Sequence, residues 1–535
     1  MEIKSLFVIL LSFLVPYVQS FRYLMVGINV GHSHLQFNGR LADILVENGH
    51  EVDFIVSRIT SFVDGNGTRL ANVFRFTPKS ADEINSMMSR APLYSDVFEN
   101  DVEIFSREMM PLFKRTFELF CADLISDTEL ISYLKSRQYD AAISEQWDTC
   151  AQVLFHHLNI RSVMGTVPTP LSDMLAFVLN IPGMPSFVPV MNNAPAAPLE
   201  MSFWERVKNF YNYVYMNYVT VPEMDKAFDS PGAFRGKAVP LDFPTTSQIK
   251  RNSAMIFVNT FENLDLPRPT LSTVRKIGGI VLKEPKKQMS PEIAEIYSRA
   301  ESGVILLSFG SIVDTKQMKP AIRDAFLRTF SKFQDYQFIW KFVGEKTDRL
   351  ESVFDNYTNV HPMEWIDQTT LLANPKTRAF ISHVGLNSLN EAAYFGVPLV
   401  ACPFFGDQTY NTAIVKHVGL GVRLDKRDIT EETVTEALNQ VLNQPRYIQR
   451  AKQLSRALKA EADGRIKRFV GDVEFATLFP EELKRQALPQ MNSFFFYSLD
   501  VIFAFLFFGL LTLSLIGWVL SFLFHFVRPE KQKTL

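Results

Sequence analysis

The stretch from Trp365 to Gln408 constrains the fold more than any other part of this sequence. It places a short apolar strand, Ala-Phe-Ile-Ser, directly before His383, then a turn at Gly385, and then a helix that opens at Asn387. In open α/β sheets, ligands bind at the carboxyl ends of such strands. The free N–H groups and the dipole at a helix N-terminus attract phosphate. This stretch therefore predicts an α/β sheet with a diphosphate site at its edge.

Polar and aromatic side chains surround the predicted turn. Trp365 offers a flat face for stacking, and Gln368 offers an amide donor and acceptor. Glu391 lies further along the helix, and Asp407 and Gln408 follow the next predicted strand. Taken singly, a tryptophan near a strand end is more often packed in a core, and an Asp-Gln pair before a helix is more often a cap. The ordered combination is more specific than any single residue.

The same stretch closely resembles the signature of the UDP-glycosyltransferases, a family of inverting, nucleotide-sugar-dependent enzymes that includes the UDP-glucuronosyltransferases. The resemblance implies an α/β fold of two facing Rossmann-like, doubly wound domains (the GT-B type). It implies that Trp365 stacks on uracil, that Gln368 bonds the ring or ribose, and that Glu391 binds the ribose hydroxyls. The remaining implied donor contacts are His383, Gly385, Asn387 and Ser388 to the diphosphate, Asp407 and Gln408 to the sugar, and a phosphate-side loop at Gly310 and Ser311.

One departure from the family pattern lies at the turn itself. Many members carry His-Gly-Gly there, whereas this chain carries His383-Val384-Gly385. Because the glycine nearer the helix is retained, the phosphate cradle is expected to survive.

His34 is the predicted general base. It lies between the first predicted strand and its helix, a favoured place for ligand chemistry in an open sheet. A helix N-terminus disfavours imidazolium, so the ring is expected to stay neutral and able to accept a proton. His32 competes for the role, but the family places its base directly before the helix and after a serine, which matches His34. A purely structural histidine at a helix start is the alternative.

A carboxylate is needed to orient this histidine. The family supplies an aspartate five residues before a cysteine, and this chain carries Glu145 at that distance from Cys150. Glutamate is one methylene longer but can still accept the histidine N–H. Asp148 is the alternative partner.

These features imply a reaction. His34 would remove a proton from a hydroxyl of a small lipophilic acceptor, and the oxygen would attack the anomeric carbon of UDP-glucuronate with inversion. A UDP-glucose-dependent enzyme and a non-catalytic glycosyltransferase-like binding protein are the alternatives. The replacement of Asp by Glu145 is the only support for the non-catalytic protein, and the intact His34, Asp407 and Gln408 argue against it. No metal or other cofactor is expected, because the polar turn would hold the departing diphosphate and the chain has no Asp-x-Asp motif.

Both ends of the chain carry apolar segments. The run near the N-terminus, about ten residues long, is too short to span a bilayer and is typical of a secretory signal, predicted at 1–20. Val501–Phe524 is a 24-residue stretch without a charged side chain, long enough as a helix to cross a bilayer. We predict a transmembrane segment at 494–527 and a cytosolic tail at 528–535. A buried first strand and a buried core helix are the alternatives.

This layout predicts a single-pass type I protein of the endoplasmic reticulum membrane with its folded domains in the lumen. Lys531 and Lys533 in the tail resemble the di-lysine retrieval signal. Two Asn-x-Thr sequons, at Asn66 and Asn356, are then expected to carry glycans.

At 535 residues, the chain is long enough for two globular domains. We predict an acceptor-binding domain at 21–285 and a UDP-sugar-binding domain at 286–490. The net charge of −2, without a basic block, argues against a nucleic-acid partner. The expected partners are the UDP-sugar, the acceptor and a lipid bilayer, and the oligomeric state is left open. Cys121, Cys150 and Cys402 are expected to be buried thiols, with a single bridge left open.

Two segments of the first half give further expectations. The stretch from Gly165 to Pro198 contains seven prolines and predicts irregular structure. An aromatic helix follows, for which a place in the core is favoured over the wall of a substrate cavity or contact with a membrane surface. Its aromatic residues are Phe203, Trp204, Phe210, Tyr211, Tyr215 and Tyr218.

Overall fold

The computed structural model describes residues 20–59, 63, 65–89, 97–98, 109–191, 198–229, 240, 242–342, 353–489 and 491–527. The predicted signal at 1–20 lies, except for Ser20, outside the described residues, and so does the predicted tail at 528–535 with Lys531 and Lys533.

The first sheet has seven parallel strands in the order β3-β2-β1-β4-β5-β6-β7. The strands are β1 (Arg22–Ile28), β2 (Glu51–Ser57), β3 (Asn72–Phe76), β4 (Ala141–Glu145), β5 (Ser162–Val167), β6 (Met255–Val258) and β7 (Val274–Lys276). The helices along this part of the chain are α1 (His32–Glu47), α2 (Ala81–Met88), α3 (Met109–Ser126), α4 (Thr128–Arg137), α5 (Thr149–His157), α6 (Asp173–Val178), α7 (Phe203–Tyr215), α8 (Val221–Asp229) and α9 (Thr246–Arg251), with a π-helical turn at Met216–Thr220. The strand order reverses between β1 and β4, which makes their carboxyl ends the switch point where open sheets bind ligands.

The second sheet has six parallel strands in the order β10-β9-β8-β11-β12-β13. The strands are β8 (Gly303–Ser308), β9 (Tyr336–Lys341), β10 (Val360–Met363), β11 (Thr377–Ser382), β12 (Leu399–Ala401) and β13 (Gly421–Arg423). The helices are α10 (Pro291–Arg299), α11 (Pro320–Phe330), α12 (Gln368–Ala373), α13 (Leu386–Phe395), α14 (Gln408–His417), α15 (Glu431–Asn443), α16 (Pro445–Ala462), α17 (Arg465–Leu478) and α18 (Pro480–Lys484). The two parallel sheets and their helices confirm the predicted fold of two doubly wound α/β domains.

Apolar residues cover the faces of both sheets. In the second sheet, Phe338, Trp340 and Phe380 are fully buried beneath the surrounding helices. Continuous apolar strands of this kind are expected where a parallel sheet is covered by helices on both faces.

The last part of the predicted second domain returns to the first sheet. Phe469 of α17 packs against Phe257 of β6, with ring centroids 4.9 Å apart, and the Ser162 hydroxyl donates to the carbonyl of Ala476 at 2.8 Å. In sequence, all strands of the first sheet precede the predicted boundary at 285 and 286, and all strands of the second sheet follow it. The boundary itself stays a prediction. Helix α17 thus ties the C-terminal part of the chain to the N-terminal sheet.

Three expectations for the first half need correction. The Pro-punctuated stretch is not wholly irregular, because Ser172 caps the short helix α6 by accepting from the Leu175 N–H. Cys121 and Cys150 form a disulfide, which was the open alternative, while Cys402 is a buried thiol. The aromatic helix is not core.

The side chains of the aromatic helix α7 show why the core prediction is wrong. Phe203, Trp204, Phe210 and Tyr211 of α7 and Tyr218 of the following π-helical turn are exposed, whereas Tyr215 is partly buried against a small apolar cluster. A polar residue, Asn209, faces the core in their place.

The C-terminal residues form a second compact unit that begins at Leu488. It contains a short helix, α19 (Ser493–Phe496), and a long one, α20 (Leu499–Val527). Residues Leu499–Phe526 have a mean hydropathy of 2.4, and none of their most apolar part is buried. By length and composition, α20 could cross a membrane.

Candidate active site

The two predicted catalytic residues meet at the switch point of the first sheet. His34 lies in the first turn of α1, and Glu145 is the last residue of the neighbouring strand β4. The His34 Nδ1 and Glu145 Oε1 atoms are 2.8 Å apart, although 111 residues separate them in sequence. The side chain of Glu145 is 1% exposed and that of His34 is 24% exposed. This geometry leaves Nε2 of a neutral His34 able to accept a proton.

Asn38 supports this pair and was missed from the sequence. Its amide nitrogen donates to the His34 carbonyl at 3.0 Å and approaches Glu145 Oε2 at 3.5 Å. Thr166 donates to the amide oxygen of Asn38 and so fixes which way the amide points. The available signal was spacing, because Asn38 lies four residues after His34 and so on the same face of α1.

The pKa of His34 shifts in the direction opposite to the expectation. Burial lowers the pKa of the imidazole, but the charge and hydrogen bond of Glu145, with a smaller contribution from Asp407, outweigh it and raise the pKa above its usual value. The pKa shift is therefore opposite in direction to the one expected from the helix N-terminus, because a carboxylate in direct contact favours the charged ring.

The alternative residues have other contacts. Asp148 caps α5 by accepting from the Ala151 N–H at 3.0 Å, and burial raises the pKa of its carboxyl to about 7. The ring of His32 packs edge-on against Trp365, with centroids 6.4 Å apart. The structure thus brings Glu145, and not Asp148, to His34, while His32 borders Trp365.

The predicted diphosphate cradle lies where β11 leads into α13. Gly385 is the N-cap of α13 and supplies no side-chain cap. The Leu386 N–H interacts with the Asp407 carboxylate, and the other N–H groups of the first turn are of the kind that binds anions. The ring of His383 lies between two glycines. A Cβ atom added at Gly310 would lie 2.5 Å from His383 Nε2, and one added at Gly385 would lie 2.6 Å from the same atom. Burial, with a smaller effect of Lys341, lowers the pKa of His383 to about 4.

The ring of His383 retains an unused polar atom. Its Nδ1 is buried and has no hydrogen-bond partner in the part of the chain that the structure describes. With its pKa lowered to about 4, the ring is neutral at neutral pH and has one N–H donor and one acceptor nitrogen. This property suits the predicted contact with a diphosphate.

Val384, the departure from the family's glycine, has a left-handed backbone with φ of 53°. A β-branched residue there is strained, which explains why glycine suits this position. Two contacts hold the strained turn: Ser382 accepts from the Val384 N–H at 3.0 Å, and Asn411 donates to its carbonyl at 2.9 Å. The valine side chain is fully buried, so packing offsets part of the strain.

Trp365 is 66% exposed, as a residue that stacks on a base must be. Lys341, at the carboxyl end of β9, lies over this ring with its Nζ 4.8 Å from the centroid and donates to the Gly310 carbonyl at 2.9 Å. Lys341 is a second residue that sequence reasoning missed. The end of a predicted strand in the donor half was the signal that could have found it.

Gln368, Ser388 and Glu391 form one hydrogen-bonded group beside Trp365. The Gln368 amide nitrogen donates to the Ser388 hydroxyl at 3.1 Å and to Glu391 Oε2 at 2.6 Å. Burial raises the pKa of the Glu391 carboxyl to about 7, against the hydrogen bond from Gln368 that lowers it. Glu391 can therefore both accept and donate near neutral pH.

Asp407 and Gln408 begin α14. Asp407 accepts from the Asn411 amide at 2.8 Å, and its charge interacts with His34, so it faces the catalytic pair. Burial raises the pKa of the Asp407 carboxyl. The amide oxygen of Gln408 accepts from the N–H groups of Phe404 and Phe405 at 2.7 and 3.2 Å. Gln408 thus holds the backbone of its own loop through its amide oxygen, and among the described residues no partner of its amide nitrogen is seen.

Asn259, just after β6, was missed and contacts the predicted cradle. Its amide nitrogen donates to Asn387 Oδ1 at 2.8 Å and to the Pro168 carbonyl at 3.3 Å. Since a carbonyl only accepts, the contact with Pro168 fixes the orientation of the Asn259 amide. The amide oxygen of Asn387 is engaged, which leaves its amide nitrogen for a ligand.

The remaining predicted site residues are the sequon asparagines and Ser311. Ser311 is exposed next to Gly310. Asn356 is exposed in a turn, whereas Asn66 accepts at 2.6 Å from the Arg75 guanidinium. Among the described residues, no three His, Cys, Asp or Glu side chains form a metal-binding group.

A small cavity lies beyond the end of β4. It measures about 30 Å³, which holds roughly one water molecule. Its lining includes Gln146, Trp147, Met174, Val178, Val221 and Met224. The cavity is mainly apolar but too small, as it stands, for an acceptor.

Known proteins are similar to this chain over nearly its whole length. The human UDP-glucuronosyltransferase 2B7 is 28% identical over 481 residues, which cover 88% of this chain and 87% of the relative. The Caenorhabditis elegans protein ugt-48 is 29% identical over 504 residues, covering 90% and 91% of the two chains. Among solved structures, the calicheamicin glycosyltransferase CalG4 matches with a TM-score of 0.58 at 15% identity, covering 86% of this chain and 99% of that one.

The family comparison agrees with these likenesses. The model of the family described as UDP-glucoronosyl and UDP-glucosyl transferase matches residues 24–534. The match spans both sheets and α20. The chain therefore belongs to the UDP-glucoronosyl and UDP-glucosyl transferase family, an enzyme family of hexosyltransferases.

Proposed function

We propose that this enzyme moves a glucuronosyl group from UDP-glucuronate to a hydroxyl of a small lipophilic acceptor, with inversion. The single observation that carries the proposal is the His34–Glu145 contact of 2.8 Å, with Asp407 facing the same pair. Glu145 orients the base His34, and Asp407 at the start of α14 interacts with His34. This arrangement supports proton transfer beside the position proposed for the donor sugar.

The proposed reaction uses these groups in order. His34 Nε2 takes the proton of the acceptor hydroxyl, and Glu145 stabilises the imidazolium that forms. The acceptor oxygen forms a bond to the anomeric carbon as the bond from that carbon to the diphosphate oxygen breaks. The negative charge on the departing UDP is held by the N-terminus of α13 and by His383.

Relatives named UDP-glucuronosyltransferases support glucuronate as the donor sugar. The family description also names glucosyl transfer, which keeps UDP-glucose as the second candidate. Direct competition between the two donors tests this choice. A preference of more than tenfold for UDP-glucose, about 1.4 kcal/mol, would contradict the proposal.

The non-catalytic alternative has lost its main support. It rested on the replacement of an aspartate by Glu145, and the longer side chain still reaches His34. The enzyme in microsomal membranes, supplied with labelled UDP-glucuronate and a panel of acceptors, tests the activity. We expect His34→Ala to lower turnover by about 10²- to 10⁴-fold and His417→Ala, at an exposed histidine on α14, to leave it unchanged. Equal activity of the two variants would contradict the role of His34.

We further propose a single-pass type I arrangement in the endoplasmic reticulum membrane, with α20 as the span. Support comes from the length and hydropathy of α20 and from exposed Asn356 in a sequon. Protease protection of the folded unit in sealed microsomes tests the topology. Asn356→Gln should abolish a glycan-dependent mobility shift more completely than Asn66→Gln, because Arg75 already engages Asn66. Digestion of the folded unit in sealed microsomes would reverse the assignment.

A further inference from the structure

Four side chains at the end of β4 form a closed network of contacts. Two of them are His34 and Glu145, whose Nδ1 and Oε1 atoms are 2.8 Å apart. Asn38 and Thr166 complete the network. Glu145, Asn38 and Thr166 are fully buried, so these three residues must find their hydrogen-bond partners within the protein.

The backbone places all four residues side by side. Asn38 follows His34 by four residues in α1, a spacing that puts two side chains on the same face of a helix. Thr166 of β5 is paired with Glu145 of β4 in the parallel register of the first sheet. Each position therefore belongs to a regular element, whose own hydrogen bonds fix where the side chain starts.

The hydrogen bonds of Asn38 connect the other three residues. Its amide oxygen accepts from the Thr166 hydroxyl. With the oxygen held in this way, the two N–H groups of the amide point to the other side. The amide nitrogen donates to the His34 carbonyl at 3.0 Å and lies 3.5 Å from Glu145 Oε2. Asn38 thus approaches the oxygen of Glu145 that His34 does not use.

The contact with Asn38 matters because the side chain of a glutamate is flexible. It has one more rotatable bond than that of an aspartate, and fixing it in one rotamer costs conformational entropy. A buried carboxylate also needs hydrogen bonds to offset the loss of water. With His34 at Oε1 and Asn38 at Oε2, each oxygen of Glu145 has its own partner.

We propose that Asn38 and Thr166 are positioning residues of the transfer reaction, which hold the Glu145 carboxylate in the orientation that aligns His34 with the acceptor hydroxyl. The inference rests on the proposed role of His34 as the base. Because Asn38 and Thr166 are buried and act through Glu145, their loss should change turnover and not the binding of UDP.

The test uses four variants of the full-length chain in microsomal membranes. Asn38→Leu removes the amide at similar volume. Thr166→Val removes only the hydroxyl, and Thr166→Ser keeps it. Thr329→Val is the matched control, since Thr329 is also fully buried and its hydroxyl donates to the Glu431 carbonyl at 3.1 Å.

Two readouts are measured for each variant. The first is kcat at saturating acceptor, with UDP-glucuronate or UDP-glucose as the donor. The second is the pKa of His34, obtained from the pH dependence of its modification by diethyl pyrocarbonate, which reacts with neutral imidazole. Mass spectrometry of the modified peptide separates His34 from His32. The second readout does not depend on turnover.

We expect Asn38→Leu and Thr166→Val to lower kcat by about ten- to a hundredfold, with the KM for the donor unchanged. The pKa of His34 should fall in both variants. Burial lowers this pKa, whereas the charge and hydrogen bond of Glu145 raise it, so a carboxylate that is no longer held leaves burial the larger influence. Thr166→Ser should restore both values, and Thr329→Val should change neither.

A double variant tests whether Asn38 acts through Glu145. When Glu145→Gln is already present, Asn38→Leu should lower kcat no further, because the carboxylate that it positions is gone. A loss of the same size with and without Glu145→Gln would show an independent structural role and would overturn the proposal.

The remaining outcomes separate this proposal from the proposed function. An unchanged or raised pKa of His34 in Asn38→Leu and Thr166→Val overturns the positioning role, and so does an equal loss of kcat in Thr329→Val. If Asn38→Leu does not fold, the comparison of Thr166→Val with Thr166→Ser decides. Full turnover in His34→Ala would instead contradict the proposed function, while the pKa of His34 would still report on the network.

Discussion

At the residue scale, the contact between His34 and Glu145 sets the pH range in which the base can work. The carboxylate raises the pKa of His34 against the opposing effect of burial. Since the base must be neutral, activity is expected to fall as the pH drops through this raised pKa. The size of this effect can be measured, because without the charge of Glu145 burial becomes the main influence on the pKa of His34.

We predict that Glu145→Gln lowers the pKa of His34, so that the acidic limb of kcat/KM moves to lower pH. Turnover at neutral pH should fall by about 10²-fold, because the imidazolium loses its counter-charge. A pH profile of kcat/KM measures both effects. Asp148→Asn is the control, since Asp148 caps α5 and asparagine is also a good cap. A shift in Asp148→Asn but not in Glu145→Gln would restore Asp148 as the orienting residue.

A second residue-scale prediction concerns Asn259. If Asn387 binds the diphosphate, the Asn259 amide presets it by engaging Asn387 Oδ1 at 2.8 Å. We expect Asn259→Leu, similar in volume but without the amide, to weaken UDP binding by about tenfold, roughly 1.4 kcal/mol. Uridine, which lacks phosphate, should bind as before. Calorimetry with both ligands gives the ratio of affinities.

Asn359→Leu is the matched control for Asn259→Leu. Asn359 is also buried, and its amide donates to the carbonyls of Phe330, Phe333 and Tyr336. Its loss should reduce stability without changing the ratio of UDP to uridine affinity. An equal loss for UDP and uridine in Asn259→Leu would mean that Asn259 has only a structural role.

At the element scale, the segment Val97–Phe98, which lies between α2 and α3 in the sequence, contacts the donor half. Phe98 packs between Phe309 and Phe404, with centroids 6.3 and 5.1 Å away. Lys426 Nζ donates to the Val97 carbonyl at 2.9 Å. Phe309 precedes the Gly310 loop, and Phe404 precedes the turn with Asp407, so this segment supports both predicted donor loops.

We predict that Phe98→Ala lowers stability by about 3 kcal/mol through cavity formation and also raises the KM for UDP-glucuronate severalfold. Phe155→Ala, at a fully buried position in the first sheet's core, should lose similar stability with no change in that KM. Denaturant unfolding and donor titrations at saturating acceptor provide the comparison. A KM that rises equally in both variants would indicate general destabilisation.

At the scale of the whole molecule, the folded unit ends at Ala487 and the apolar unit begins at Leu488. The hydrogen bond from the Ser272 hydroxyl to Gln486 lies before that point. We predict that a chain ending near residue 490 folds, binds UDP as the full chain does and turns over a water-soluble acceptor. Independent cores normally tolerate such a cut.

Turnover of a lipophilic acceptor delivered by a membrane should fall in this truncated chain, because the acceptor is no longer concentrated beside the enzyme. Parallel assays with the two acceptor types measure the difference. If a folded, UDP-binding truncation loses activity on both acceptors, α20 is part of the catalytic structure.

The sequence alone determined much of this enzyme. Alternating apolar strands and helices predicted two parallel sheets, because their periodicity reflects local chain geometry. The ordered polar residues from Trp365 to Gln408 predicted a donor site, which stays a prediction. Most of these residues are close together in the structure because they lie within one strand–helix–strand unit. His34 and Glu145 were predicted from a family pattern, and the adjacent parallel strands β1 and β4 bring them together.

The tertiary structure decided what depends on distant neighbours. Asn259 and Lys341 reach the site from strands far away in sequence, so no local spacing marks them. The pKa of His34 follows from a carboxylate 111 residues away. The aromatic helix was predicted to be core because aromatic residues bury well, but the direction of α7 is set by hydrogen bonds of Asn209 to a separate loop. Local pattern gives a helix its two faces, and only packing decides which of them meets the solvent.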